Sequence, residues 1–209
     1  MRCTRLVVAW LFVAAPVLLA GCVTLPGEGA SPTAAKKAEP VVNPESRRLY
    51  EQALAALQAG RTPEAERGLL AVASREPALA GPHANLGILY ARTNRAAQAI
   101  ESLQRAIQLN PDRAAYYNEL GLVYRHEGKF TEARDSYARA LEADPNYTNA
   151  HLNLGILYDL YLQDLDKAML HYQRYRELAP DEAATVAKWI VDLQQRSRAA
   201  DKSKGGKSG

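Results

Sequence analysis

The most constraining feature of this chain is one phrase written three times. Residues 83–90 read HANLGILY, residues 117–124 read YNELGLVY and residues 151–158 read HLNLGILY, each 34 residues after the last. At that spacing Leu86, Leu120 and Leu154 share one phase, Gly87, Gly121 and Gly155 the next, and Tyr90, Tyr124 and Tyr158 a third. Further along, Ala99 matches Ala133, Leu103 matches Tyr137, Ala106 matches Ala140 and Pro111 matches Pro145. Pro77 stands one period upstream, and Pro180 one period plus one residue downstream. A period of this length marks an array in which each unit is one small supersecondary element that buries its apolar face against its neighbours.

The unit reads as a pair of helices. Leu86 and Tyr90 lie four apart, and Leu103, Ala106 and Ile107 keep the same helical stripe, so two amphipathic helices share one seam. A glycine inside a helix costs about 1 kcal/mol against alanine, so three at one phase need compensation, most simply from close contact with a neighbouring helix. Gly87 facing Ala99 would supply that contact. Gly60, Asn94 and Gly128 are 34-residue partners, of types that tolerate left-handed backbone at a helix end. Thr62-Pro63 predicts an N-cap followed by proline in the first turn, and the closing prolines end each second helix because the residue before a proline avoids helical backbone.

These residues resemble the tetratricopeptide repeat, a helix-turn-helix unit with Leu-Gly and Tyr in its first helix, Ala, an aromatic and Ala in its second, and a closing Pro. The resemblance covers residues 46–180 and implies an all-α fold: a right-handed solenoid of about four repeats with a C-terminal capping helix. The first unit departs from the pattern, with Gln52 and Ala53 for Leu-Gly and Ala56 for Tyr, as an end repeat without an outer neighbour is free to do. The fourth carries one extra residue in DLYLQDLDKA, and Tyr175 stands where Ala106 and Ala140 stood. Val186, Trp189, Ile190 and Leu193 lie at helical spacing and predict a sealing helix over 181–198, followed by a disordered tail over 199–209.

The resemblance also implies a concave groove lined by the first helices. On it would fall the row Ile88, Leu122 and Ile156, the amides Asn85, Asn118 and Asn153, and charge from Arg92, Arg125 and Asp159. Such a groove suits an extended peptide or an amphipathic helix, while the alternative, that the apolar row only packs between helices, carries equal weight. Ala84, Ile88, Leu122 and Ile156 stand where repeats that clamp an acidic chaperone tail need lysine and asparagine, so that clamp is not expected.

The amino terminus predicts a different compartment. Residues 1–21 have a basic start at Arg2 and Arg5, an apolar run from Leu6 to Ala20 and small residues before Cys22, the pattern of an export signal. Leu19-Ala20-Gly21-Cys22 resembles the lipobox of bacterial lipoproteins, which implies lipidation of Cys22. With Val23 in place of a retaining aspartate, it also implies residence at the periplasmic face of the outer membrane. Several acyl chains anchor stably where one does so only marginally. Residues 22–45 shift to Pro, Gly, Ala, Ser and Thr and predict a flexible tether. Cys3 and Cys22 are the only cysteines, and their expected fates leave no disulfide in the mature chain.

Little predicts chemistry. The net charge is +3, with acidic and basic residues interleaved, so no nucleic-acid partner is expected. His83 and His151 sit two units apart, about 20 Å at roughly 10 Å per helix layer, too far to share an ion. Asp159, Asp164 and Asp166 lack the spacing of a calcium loop and suit capping and solvation. No nucleophile motif or phosphate loop is present, so no catalytic residue, metal or cofactor is expected. The sequence points to a lipid-anchored periplasmic scaffold in an envelope assembly, at a pilus secretin or a Ton-type energy-transducing complex. The alternative is a factor acting on peptidoglycan that its repeats merely position.

Overall fold

Left-handed residues recur once per unit and set the architecture: Gly60 at φ +72°, Asn94 at φ +57°, Gly128 at φ +72° and Gln163 at φ +53°. Each closes a tight turn between the two helices of one unit. The computed structural model describes residues 43–205, with side chains through residue 199. The leader, Cys22 and residues 23–42 of the expected tether lie outside them. The four units are α1 (Pro44–Gln58) with α2 (Thr62–Arg75), α3 (Ala80–Arg92) with α4 (Ala96–Leu109), α5 (Ala114–His126) with α6 (Phe130–Ala143), and α7 (Thr148–Leu160) with α8 (Leu165–Leu178). A 3-10 turn over Pro180–Glu182 leads into α9 (Ala184–Gly205). No strand occurs among the described residues, and the all-α repeat solenoid is borne out.

The glycines do what their cost required. A Cβ built on Gly87 would meet Leu103 Cγ at 2.5 Å, with the carbonyl oxygen of Ala99 at 3.2 Å, so the slot is closed chiefly by Leu103. On Gly121 it would meet Tyr137 Cε1 at 2.5 Å, and Gly155 stands the same way over Tyr172. The first unit solves the problem in reverse. Ala53 occupies the glycine phase, and across from it Gly68, where a Cβ would lie 2.7 Å from that of Ala53, gives the space back.

The inserted residue of the fourth unit falls in its turn. The left-handed position moves one place, from the in-phase 162 to Gln163, and Asp164 then caps α8 by accepting from the Lys167 amide at 3.1 Å. Tyr175 is buried with Ala183, Val186, Ile190 and Leu193, so the aromatic that replaces alanine seats the closing helix. The curvature follows from which helices meet. First helices of successive units pack directly, α3 on α5 and α5 on α7, whereas the second helices of neighbouring units barely touch. The first helices therefore line the inner side.

Three boundaries differ from expectation. Thr62 is not the N-cap of α2: Arg61 holds that place with no side-chain bond, as Arg95 and Lys129 do for α4 and α6. The left-handed glycine turns the chain so sharply that the next carbonyl already starts the helix, Arg61 accepting from the Ala65 amide at 3.0 Å. The tether does not extend to residue 45. The Asn43 side chain accepts from the Glu45 amide at 2.8 Å and Pro44 opens α1, a capped start with proline in the first turn. The tail expected from residue 199 is instead helical to Gly205, because Ala199, Ala200, Lys202 and Lys204 are good helix formers that extend an already nucleated helix.

Candidate functional site

The inner face carries a cavity of about 630 Å³ between the second and third units, lined among others by Ile88, Arg92, Glu119, Leu122, Arg125 and Tyr161. Ile88 and Leu122 are half-buried and form its apolar floor. Tyr161, a product of the longer fourth turn, packs on Phe130 with ring centres 4.6 Å apart and planes tilted by 34°, and walls the far side. Ile156, third of the predicted row, is not part of this space. It packs on the cluster built by Tyr172, Val186, Ile190 and Leu193 and is half-buried like the other two.

The predicted amides are placed differently. Asn85 donates to the Tyr50 hydroxyl at 2.7 Å, and Asn153 donates to the Asn118 side-chain oxygen at 2.9 Å. Each bond spans 35 residues and ties a first helix to the one before it. Asn118 is 2 % exposed and Asn153 9 %, so these amides are spent between units and are not offered to a ligand. Asn118 is also out of phase with the other two. The 34-residue partner of Asn85 is Glu119, whose tie would fall on Ala84, a residue with nothing to accept or donate. Glu119 therefore faces the cavity without an ion pair among the described residues, and burial lifts its carboxyl above the usual range, against the pull of Asn118 and Arg92.

Near it lie two buried polar groups without partners. Tyr137 is fully buried, and its hydroxyl has no hydrogen-bond partner; neither has Nη1 of Arg125. Burial pushes the Tyr137 phenol up to about 12. The corresponding place in the fourth unit is satisfied. There Asp159, a phase partner of Arg125, accepts from the Tyr172 hydroxyl at 3.3 Å and from Arg196 of α9 at 2.6 Å. Asp159 is 8 % exposed, so it is neither solvated nor a helix cap, unlike Asp164; the arriving arginine makes its burial tolerable. Arg92 is exposed at the cavity rim.

A pair of histidines joins α7 to α8. Nδ1 of His151 lies 3.1 Å from Nδ1 of His171, and Nε2 of His151 lies 3.1 Å from the Pro145 carbonyl oxygen. A carbonyl only accepts, so Nε2 of His151 carries the proton, and its Nδ1 accepts from His171. Tyr158 stacks on His171 at an interplanar angle of 6°. Burial holds both histidines below the ordinary value, His171 at about 4. The repeat phase points His151 toward His83, and its pairing with His171 lies across its own unit, where the period does not display it. Among the described residues no group of three or more His, Cys, Asp or Glu converges to hold a metal ion, and no helix is long and apolar enough to cross a membrane.

Two sequence models described as the tetratricopeptide repeat match the chain, at residues 84–148 and 124–188, together half of its 209 residues. No curated protein matches it. Among solved structures, PilF of Pseudomonas aeruginosa aligns at TM-score 0.66 and 21 % identity, over 74 % of this chain and 69 % of that one. A MamA protein aligns at TM-score 0.59 and 21 % identity, over 74 % of this chain and 94 % of that one. A Thermobaculum terrenum O-GlcNAc transferase aligns at TM-score 0.58 and 24 % identity over 66 % of this chain, which spans only 27 % of that enzyme. At these identities the likeness is one of fold.

Proposed function

Taking as premise that this chain belongs to the tetratricopeptide-repeat family, we propose that it is a lipid-anchored periplasmic scaffold that holds a protein partner in the cavity between α3 and α5. The observation that carries the reading is the cavity on the inner face whose apolar floor is the half-buried pair Ile88 and Leu122. A groove of this size on rigid helices suits a peptide or helix. The anchor rests on Cys22 and the export pattern before it, and it would keep the solenoid at the periplasmic face of the outer membrane, within an assembly of the pilus-secretin or Ton-type kind.

A photo-crosslinking residue at position 122 of the full chain, expressed in cells, tests the groove. It should trap a discrete envelope protein, and Ile88→Glu should abolish the adduct while the melting temperature stays within a few degrees. An adduct indifferent to Ile88→Glu would sink the groove reading. The anchor is tested apart from it: Cys22→Ser should abolish incorporation of an alkyne fatty acid and release the chain from the membrane fraction, and retention of label would overturn the assignment.

A further inference from the structure

The seams between units are not alike. Across the first, Asn85 donates to the Tyr50 hydroxyl at 2.7 Å, and Arg95 holds both carboxylate oxygens of Glu66 at 2.8 Å while lying over the Tyr90 ring. Across the third, Asn153 donates to Asn118 at 2.9 Å, Arg174 donates to the Asn146 side chain in the linking loop at 2.7 Å, and His151 bonds the Pro145 carbonyl. Arg196 then ties α9 to Asp159. The second unit's polar side chains bond within it or back toward the first, as Arg105 does to the Pro77 carbonyl. Among the described residues no side-chain hydrogen bond or ion pair joins it to the third.

The repeat phase shows how both ties of the first seam are lost at the second. Tyr50 and Asn85 give way to Ala84 and Glu119, and Glu66 and Arg95 to Ile100 and Lys129. Alanine and isoleucine offer nothing to bond. What remains is apolar: Leu120 and Val123 join the cluster of Leu86, Leu89 and Leu103, and Ile107 packs on Ala114 and Tyr117. A hydrogen bond weakens steeply off its preferred angle and so fixes register, whereas apolar burial is non-directional and tolerates small sliding of packed helices. The inner cavity opens on this same seam, with Ile88 and Arg92 on one side and Leu122 and Arg125 on the other.

We infer that the solenoid articulates at the seam between α4 and α5, the first two units moving as one body and the third and fourth with α9 as another, so that the cavity widens and narrows between Ile88 and Leu122. The joint stands apart from what the cavity binds. It adds one consequence to the groove reading: a partner that touches both Ile88 and Leu122 bridges the two bodies and stiffens them.

Double electron–electron resonance on the full chain tests the joint, with nitroxides attached through p-acetylphenylalanine so that Cys22 is untouched. Three label pairs take equivalent exposed positions across the three seams: Gln58 with Gln108, Arg92 with Glu142, and His126 with Glu177. Each pair runs from the end of a first helix to the far end of the next unit's second helix, roughly 20 Å along the helix axis. The distribution for 92 with 142 should be about twice as broad as the other two. Ala84→Asn with Glu119→Asn copies the Asn118–Asn153 pair into the untied seam and should narrow that distribution to the width of its neighbours, while Glu119→Asn alone should not. The reciprocal variant, Glu66→Ala with Asn85→Ala, cuts both ties of the first seam and should broaden 58 with 108 to match. Circular dichroism confirms that each variant is folded. Three equal widths overturn the inference, as does a width for 92 with 142 that ignores the asparagine pair. Should that pair not fold, a width for 58 with 108 unmoved by cutting its ties decides against the joint. No partner enters these measurements, so their failure leaves the groove reading to the adduct at position 122.

Discussion

Tyr137 and Tyr172 occupy the same slot of successive units, both essentially fully buried, and replacing each by phenylalanine should give opposite results. In Tyr172→Phe the hydroxyl lost is one that donates to the carboxylate of Asp159 at 3.3 Å. Bonds to charged groups contribute about 1.5–3 kcal/mol, and the length of this one, with Arg196 still in place, puts the loss at roughly 1–2 kcal/mol. In Tyr137→Phe the hydroxyl removed has no partner, so its removal relieves a desolvation penalty of about 1–3 kcal/mol, less whatever water recovers. The expected change is between zero and a gain of about 1 kcal/mol. Urea unfolding followed at 222 nm reads both. With a slope of about 2 kcal/mol per molar, Tyr172→Phe should lower the midpoint by roughly 0.5–1 M, while Tyr137→Phe leaves it unchanged or raises it. The slopes must be compared first, since a repeat array can lose cooperativity. Equal losses would mean that the Tyr137 hydroxyl is satisfied in solution.

Gly121→Ala should destabilise by roughly 1–3 kcal/mol despite alanine's better helix propensity, because its methyl would stand 2.5 Å from the ring of fully buried Tyr137; a neutral or stabilising result in the same urea experiment would contradict the close approach. Gly128→Ala meets nothing within 4 Å, so any loss there, about 1 kcal/mol, comes from the left-handed backbone alone. The histidine pair predicts an acid response. With the folded values of His151 and His171 depressed by burial, the unfolded chain binds more protons, so stability is fully present above about pH 6.5 and declines as pH falls toward about 4. Melting temperatures across that window should fall, and His171→Gln should flatten the slope; an unchanged slope in the variant would place the titration elsewhere. Arg196→Ala should raise amide exchange in α9 and across the α7–α8 turn before any other unit, since Asp159 keeps only the tyrosine.

Much of this was readable in the letters because periodic positions carry the packing. Leu86, Leu120 and Leu154, the three glycines and the left-handed turn residues repeat because each unit must offer its neighbour the same surface. The missed features depend on pairs that the period does not display. Gly68 and Ala53 share one contact with the small residue moved across the seam, visible only once the two helices are opposed. Asn118 was grouped with Asn85 and Asn153 by residue type; strict spacing points to Glu119, and the physical meaning of the mismatch needed Tyr50 and Ala84 in place. The helical extension to Gly205 was hidden because composition describes an isolated stretch, whereas a helix already nucleated on a packed face continues at little cost.

Where the array departs from its own pattern, the departures are coupled. Leu103 gives way to Tyr137 and Tyr172, a ring beneath the glycine in place of a branched chain, and each ring brings a hydroxyl into the interior that an apolar core cannot satisfy. The fourth unit answers with Asp159 and recruits Arg196, so the polar intrusion becomes the docking point of α9. The third unit has the same intrusion, and there neither the Tyr137 hydroxyl nor Nη1 of Arg125 has a partner. A packing role alone would favour phenylalanine at position 137, which fills the slot without the hydroxyl.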